Sequence, residues 1–310
     1  MTADYGFRLA GVLLICALIV PFCLRKGQKQ YSLITAGLAI LCGLAVSRLV
    51  YWLTNIGFYL GQAHDFLSLF RLWEGGYSMT GAVLGAFAGC LLASRLFRKL
   101  PDAPSFVTLA DGLVPALMLF VVFERFSEEM LGQGYGLDVD LSLSPLNILV
   151  DGMTMSVNNL TVLNVGAIAG VLLFWAYLAI LLTRPKAPGT RALAFLFATG
   201  VITVLSESLR QDRHMVWDFV YSQQVYFFLI AVAVVILCDK NKLRAILCSV
   251  LFGGCITALE FALDGRIRPP FEFMTANVKL SWYIVFLVVL IAYGIYGARQ
   301  IIRREREMRS

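Results

Sequence analysis

Long apolar runs alternate with short polar loops along the whole chain, near residues 7–24, 32–59, 77–96, 106–123, 161–182, 192–209, 216–238, 245–263 and 280–298. Each run approaches the roughly 20 apolar residues that one bilayer crossing takes. The pattern predicts nine transmembrane helices and leaves no length for a separate soluble domain. The fold class expected is all-α: a polytopic helical membrane protein.

Composition agrees with the pattern. Of 310 residues, 59% are hydrophobic and only 15% charged, with a mean hydropathy of +0.77; soluble domains carry about 25% charged residues. The net charge of +6 raises the question of a nucleic-acid partner, but the basic residues lie between the apolar runs. Alternate loops are rich in them: Arg25, Lys26 and Lys29; Arg95, Arg98 and Lys99; Arg184, Lys186 and Arg191; Lys240, Lys242 and Arg244; then Arg299, Arg303, Arg304, Arg306 and Arg309. Lys and Arg concentrate on the cytoplasmic side, so the N-terminus is expected outside and the C-terminus inside, with a net acidic outer half. No nucleic-acid partner is expected. MTADYGFRLAG lacks the basic segment of a signal peptide and no small-residue cleavage site follows, so the first span is expected to stay attached.

All seven cysteines fall in or at the ends of apolar runs without metal-ligand spacing, and the two histidines, His64 and His214, are isolated. They read as packing residues, and no metal or cofactor is expected.

Ionisable groups in or at the rim of a span are costly and therefore candidates for function. These are Arg48, Glu124, Arg125, Glu128, Glu129, Glu207, Arg210 and Glu260, whereas Arg8, Asp111 and Lys279 read as groups that snorkel or pair to orient helices. The cluster at 124–129 precedes the glycine-rich stretch LGQGYG. Were it helical, Glu128 and Glu129 would lie within pairing reach of Arg125, and the cluster would be net negative. Gly75, Gly76, Gly81, Gly85 and Gly89 place small residues about one turn apart, a face suited either to close helix packing or to a lipid chain.

Taken in order, these segments resemble the bacterial prolipoprotein diacylglyceryl transferase family. SRLVYWLTN, with Arg48 and Tyr51, resembles the family's Gly-Arg-x-Gly-Tyr stretch, and FRLWEGGYSMTGAVLG its Trp-(Asp/Glu)-Gly-Gly-Met-Ser-x-His-Gly-Gly segment. ERFSEEMLGQGYG stands where the family has Gly-Arg-x-Gly-Asn-Phe-x-Asn-x-Glu-x-Trp/Phe-Gly. TRPKAPGTRALAFLFATG, ESLRQDR and SQQVYFFLI resemble its basic Pro-rich loop, its Glu-Phe-x-Arg-x-Pro-Asp segment and its Met-Gly-Gln-x-Leu-Ser segment.

The resemblance implies a seven-helix core over 1–238, with a further helix pair and basic tail over 239–310. It also implies an enzyme of the bacterial plasma membrane that moves a diacylglyceryl group from phosphatidylglycerol to the cysteine of a prolipoprotein signal peptide. Arg125 and Glu207 fall on catalytic positions, the arginine holding the phosphate and the glutamate orienting basic groups. Arg48, Tyr51, Glu128, Gln133, Gly136 and Arg210 would bind substrate. The chain departs from the pattern at several positions: Thr80 replaces the histidine, Glu128 the asparagine, Gln133 the glutamate and Glu124 the glycine, while Thr203 and Thr199 replace an arginine and a tyrosine. The family's His-Pro-x-Gln-x-Tyr-Glu segment has no counterpart in MSVNNLTVLNVG.

Two other readings stand beside the enzyme. One is an inactive family member that binds lipid or a membrane-protein partner. The other is a cation- or proton-coupled transporter using Glu128, Glu207 and Glu260. Beyond the core, LFGGCITALEFALDGRIRPPFEF loosely echoes LFATGVITVLSESLRQDRHMVWDF, either as a duplicated helix pair or through shared membrane composition.

Overall fold

The structure is a computed structural model and describes residues 31–62, 66–71, 76–100, 102–130, 132–138, 153–157, 160–211, 215–216, 220–263 and 276–308. The first expected span, 7–24, lies outside them. Eight α-helices are described: α1 Ser32–Thr54, α2 Met79–Phe97, α3 Phe106–Met130, α4 Val165–Thr183, α5 Thr190–Leu209, α6 Ser222–Cys238, α7 Lys242–Leu263 and α8 Ala276–Glu307. Six helical segments are long and apolar enough to cross a membrane, and the protein is a helical, multi-pass membrane protein.

Several boundaries differ from those expected. Residues 160–164 belong to β3 (Leu160–Asn164), which pairs antiparallel with both β1 (Tyr135–Asp138) and β2 (Thr154–Val157). LTVLN is apolar enough to read as span but rich in β-branched residues that suit a strand. Helix α4 starts only at Val165, where the Asn164 carboxamide oxygen accepts the Ala167 N–H at 2.9 Å. A two-stranded hairpin, β4 (Met215–Val216) and β5 (Val220–Tyr221), precedes α6. At the other extreme, α3 runs seven residues past 123, and α8 carries the basic tail onward as helix to Glu307.

The glycine face of α2 serves helix packing. Ser78 caps this helix, its hydroxyl accepting the Gly81 N–H. A β-carbon at Gly81 would lie 2.6 Å from the Ser47 Cα, and one at Gly89 2.5 Å from the Leu38 carbonyl oxygen. Gly85 packs equally closely on Cys42 and Gly43. Absent side chains let the α1 and α2 backbones touch, the means by which small residues hold membrane helices together.

Two apolar clusters fill the interior. One joins α1, α2, α3 and α4 with Phe195 of α5 and Phe227 of α6. The second joins Phe197 and Val204 of α5 to α6, Phe252 and Ile256 of α7, and Phe286, Leu290 and Tyr293 of α8. Helix α5 lies between the clusters, and every one of its residues is buried or half-buried. At its N-terminus, the Asp111 carboxylate of α3 accepts the N–H groups of Gly189 at 2.6 Å and Ala192 at 2.8 Å. Asp111 thus satisfies orphan helix donors from a neighbouring helix.

Candidate functional site

The final turns of α3 and α5 carry the charged residues of the candidate site. Because α3 continues through the 124–129 cluster, Arg125 and Glu128 lie on one face of a regular helix, three residues apart. Arg125 Nη1 donates to Glu128 Oε1 at 2.8 Å and to Glu207 Oε1 at 3.5 Å. Arg210 Nη1 donates to the same two oxygens, each at 3.2 Å. Two guanidinium groups and two carboxylates therefore form a closed ring across α3 and α5. Glu124 stands beside it, with Oε2 3.9 Å from Arg125 Nε.

Arg125 is 1% exposed. A buried charge is tolerated only where partners offset its lost solvation, and the ring supplies them. It does not exhaust them: Nε and Nη2 of Arg125, Oε2 of Glu128 and Oε2 of Glu124 are all buried without a hydrogen-bond partner among the described residues.

LGQGYG fastens the ring in place. Gly132 and Gly134 take φ values of +64° and +74°, conformations open to glycine. The Gln133 N–H donates to the Glu128 carbonyl at 2.9 Å, and the Gly134 carbonyl accepts the Val165 and Gly166 N–H groups at 2.9 and 3.2 Å. The Gln211 N–H donates to the Tyr135 carbonyl at 2.9 Å, and Gly136 forms an antiparallel bridge with Arg210. One short segment thus ties the end of α3 to the start of α4 and to the end of α5.

Of the residues predicted from sequence, Arg125, Glu128, Glu207, Arg210 and Gly136 converge. Gln133 takes part through its backbone, and its side chain is exposed. Arg48 and Tyr51 form a separate unit at the end of α1, where the Arg48 guanidinium donates to the Gly76 carbonyl at 3.2 Å and lies 6.0 Å from the Tyr51 ring centre. The charge count within the cluster changes. Glu129 turns outward and accepts from the Asn164 carboxamide at 2.8 Å, so the site comprises Glu124, Glu128 and Glu207 against Arg125 and Arg210, one net negative charge. Sequence reasoning missed Asn164, Gly134 and Gly166. The available signal for the last two was a glycine just before β1 and another just after β3, in the first turn of α4.

Thr80 is 2% exposed, and its hydroxyl has no hydrogen-bond partner among the described residues. Thr203, one turn before Glu207, also has a buried hydroxyl without a partner. Thr199, a turn further back, bonds to the Tyr177 hydroxyl at 2.7 Å. Glu260 lies in α7, but its side chain is outside the described residues.

A polytopic helix bundle with a buried Arg–Glu ring near one end defines an integral membrane protein with a polar intramembrane site. The family model described as "Prolipoprotein diacylglyceryl transferase" matches residues 3–238, and the chain belongs to that family. The match stops at the last residue of α6, so α7 and α8 lie beyond it. Among curated relatives, a phosphatidylglycerol--prolipoprotein diacylglyceryl transferase of Cutibacterium acnes is 28% identical over 134 residues, 40% of this chain and 43% of the relative. Proteins of the same name from Legionella pneumophila and Polynucleobacter asymbioticus are 25% and 26% identical, over 46% and 50% of this chain and 52% and 55% of their own lengths. The chain thus spans about half the length of the curated relatives it matches. No solved structure matches it.

Proposed function

We infer that the protein transfers a diacylglyceryl group from phosphatidylglycerol to the lipobox cysteine of a prolipoprotein, in the bacterial plasma membrane with the Arg–Glu ring toward the outer face. The observation that carries this reading is Arg125: a buried guanidinium whose Nη1 is spent on Glu128 and Glu207 while Nε, 3.9 Å from the Glu124 carboxylate, and Nη2 donate no hydrogen bond among the described residues. Two adjacent N–H donors on one planar group match two oxygens of a phosphate diester. The relatives' printed names support the same donor and acceptor.

In the reaction, the cysteine sulfur attacks the glyceryl methylene that bears the phosphate. A carbon–sulfur bond forms, the carbon–oxygen bond breaks, and its electron pair leaves with glycerol phosphate, which takes up the thiol proton. Arg125 holds the phosphate and stabilises the charge growing on the departing oxygen. Glu207 and Glu128 hold both guanidinium groups in register, Arg210 adds the second positive charge, and Gly136 fixes Arg210. Arg48 and Tyr51, the separate unit at the end of α1, bind another part of the lipid, with Gln133 at the edge of the ring.

Thr80 favours a second reading, a lipid-binding member without turnover, because a threonine hydroxyl cannot serve as a base near neutral pH. Purified protein incubated with labelled phosphatidylglycerol and a lipobox peptide decides between them. A thioether product that is lost in Arg125→Ala supports the transferase. Lipid bound without product, and none gained in Thr80→His, supports the second reading.

A further inference from the structure

We propose that the groove between the end of α2 and the start of α3 binds the phosphate of an anionic phospholipid headgroup, at the opposite end of the bundle from the Arg–Glu ring. The groove has a volume of about 430 Å³ and is lined by Ser94, Arg95, Arg98, Ala103, Pro104, Ser105 and Phe106. Phe106 and Arg125 lie nineteen residue steps apart along α3, about 28 Å at 1.5 Å per residue, so this is a different site.

Its chemistry is opposite to that of the ring. Arg95 and Arg98 line it, and among the described residues neither guanidinium has an ion pair. Lys99 adjoins them, and Asp102 is the acidic residue of the loop, which leaves the neighbourhood net positive. Ser105 caps α3: its carbonyl accepts the Leu109 N–H at 3.1 Å and its hydroxyl the Thr108 N–H at 3.3 Å. The N–H groups of Phe106 and Val107, the first two of the helix, remain without intrahelical acceptors. Two guanidinium groups and a helix N-terminus thus face one cavity, a combination suited to a phosphate.

The surroundings favour a lipid as the source of that phosphate. Leu91, Leu92 and Leu96 of α2 and Val107 of α3 are all exposed beside the groove. In a membrane they offer acyl chains a path down the helices directly from the headgroup position. A soluble phosphate would use none of this surface.

Native mass spectrometry of the full chain in detergent, with added phosphatidylglycerol, phosphatidylcholine or inorganic phosphate, tests the assignment. Arg95→Glu with Arg98→Glu should weaken one phosphatidylglycerol equivalent at least tenfold, while the equivalent held at the ring persists. Arg306→Glu, an exposed charge in the last turn of α8 and outside the groove, should leave binding within twofold. Arg98→Gln should give an intermediate loss and serves if the double reversal fails to fold. Equal binding of phosphatidylcholine and phosphatidylglycerol, or equal losses in Arg306→Glu and the double reversal, would overturn the site. Displacement of the lipid by millimolar inorganic phosphate would overturn the lipid as its ligand.

Discussion

Gly134 packs so closely on Glu128 that a β-carbon there would lie 2.7 Å from the Glu128 Oε2. The same residue has φ +74°, so alanine would meet backbone strain and a buried carboxylate together. Gly134→Ala should cost about 2–3 kcal/mol, combining strain of order 1–3 kcal/mol with displacement of Glu128. Gly132→Ala is the control, since its φ is +64° but its β-carbon would meet open space. Thermal unfolding in detergent should show a clearly larger drop for Gly134→Ala, with loss of the lipid equivalent held at the ring in that variant alone.

Removing one member of the ring should harm the fold more than removing a pair. Arg125→Met leaves Glu128 and Glu207 buried with Arg210 as their remaining guanidinium, a loss of about 3–5 kcal/mol. Replacing both Arg125 and Glu128 with Met should recover much of that stability while transfer stays absent. Recovery of transfer along with stability would show that Arg125 acts only on folding.

Asp111 is expected to separate from the site altogether. Its two hydrogen bonds to the start of α5 act as an N-cap supplied by another helix, and Asp111→Ala should cost about 1–2 kcal/mol. At a temperature where both proteins are folded, transfer rates should match. A rate loss larger than tenfold would place Asp111 in the chemistry.

Between α6 and α7, Asp239 is fully buried and binds Arg244 at 2.7 Å, the Tyr296 hydroxyl at 2.6 Å and the Asn241 N–H at 2.9 Å. The Arg244 hydrogen bond is the chief cause that lowers its pKa to about 2, against the cost of burial. A depressed carboxylate pKa stabilises the fold at pH above the unfolded value of about 3.9, and that stability is lost as pH falls through the folded value. The wild type should lose this increment between about pH 4 and pH 2, and Asp239→Asn should show no such step in denaturant titrations over that window.

The apolar runs made the membrane class and most helices readable because burial in lipid demands long uninterrupted apolar sequence. Leu160–Asn164 was hidden for the same reason: LTVLN is as apolar as the helix it precedes, and only its pairing with β1 and β2 distinguishes it. Arg299, Arg303 and Arg304 obscured the continuation of α8, since charge marks the edge of the hydrocarbon and not the end of a helix. In the site, the pairing of Arg125 with Glu128 follows from helical spacing. The link from Arg210 to Glu128 spans 82 residues and depends on where Gly136 bridges the end of α5, which no local pattern encodes. Glu129 follows the same spacing rule as Glu128, yet Asn164 draws it outward.

Helix α5, with Phe195 in one apolar cluster and Phe197 in the other, behaves as an axle held in two bearings. Arg210 and Glu207 sit at its tip, so any rotation of the shaft would have to disturb Phe252 and Tyr293, stacked 4.0 Å apart in the second bearing. The two helices beyond the family match therefore supply part of the packing that holds α5. Loosening that packing, as in Phe252→Ala, should lower the rate of transfer without altering a single charged residue.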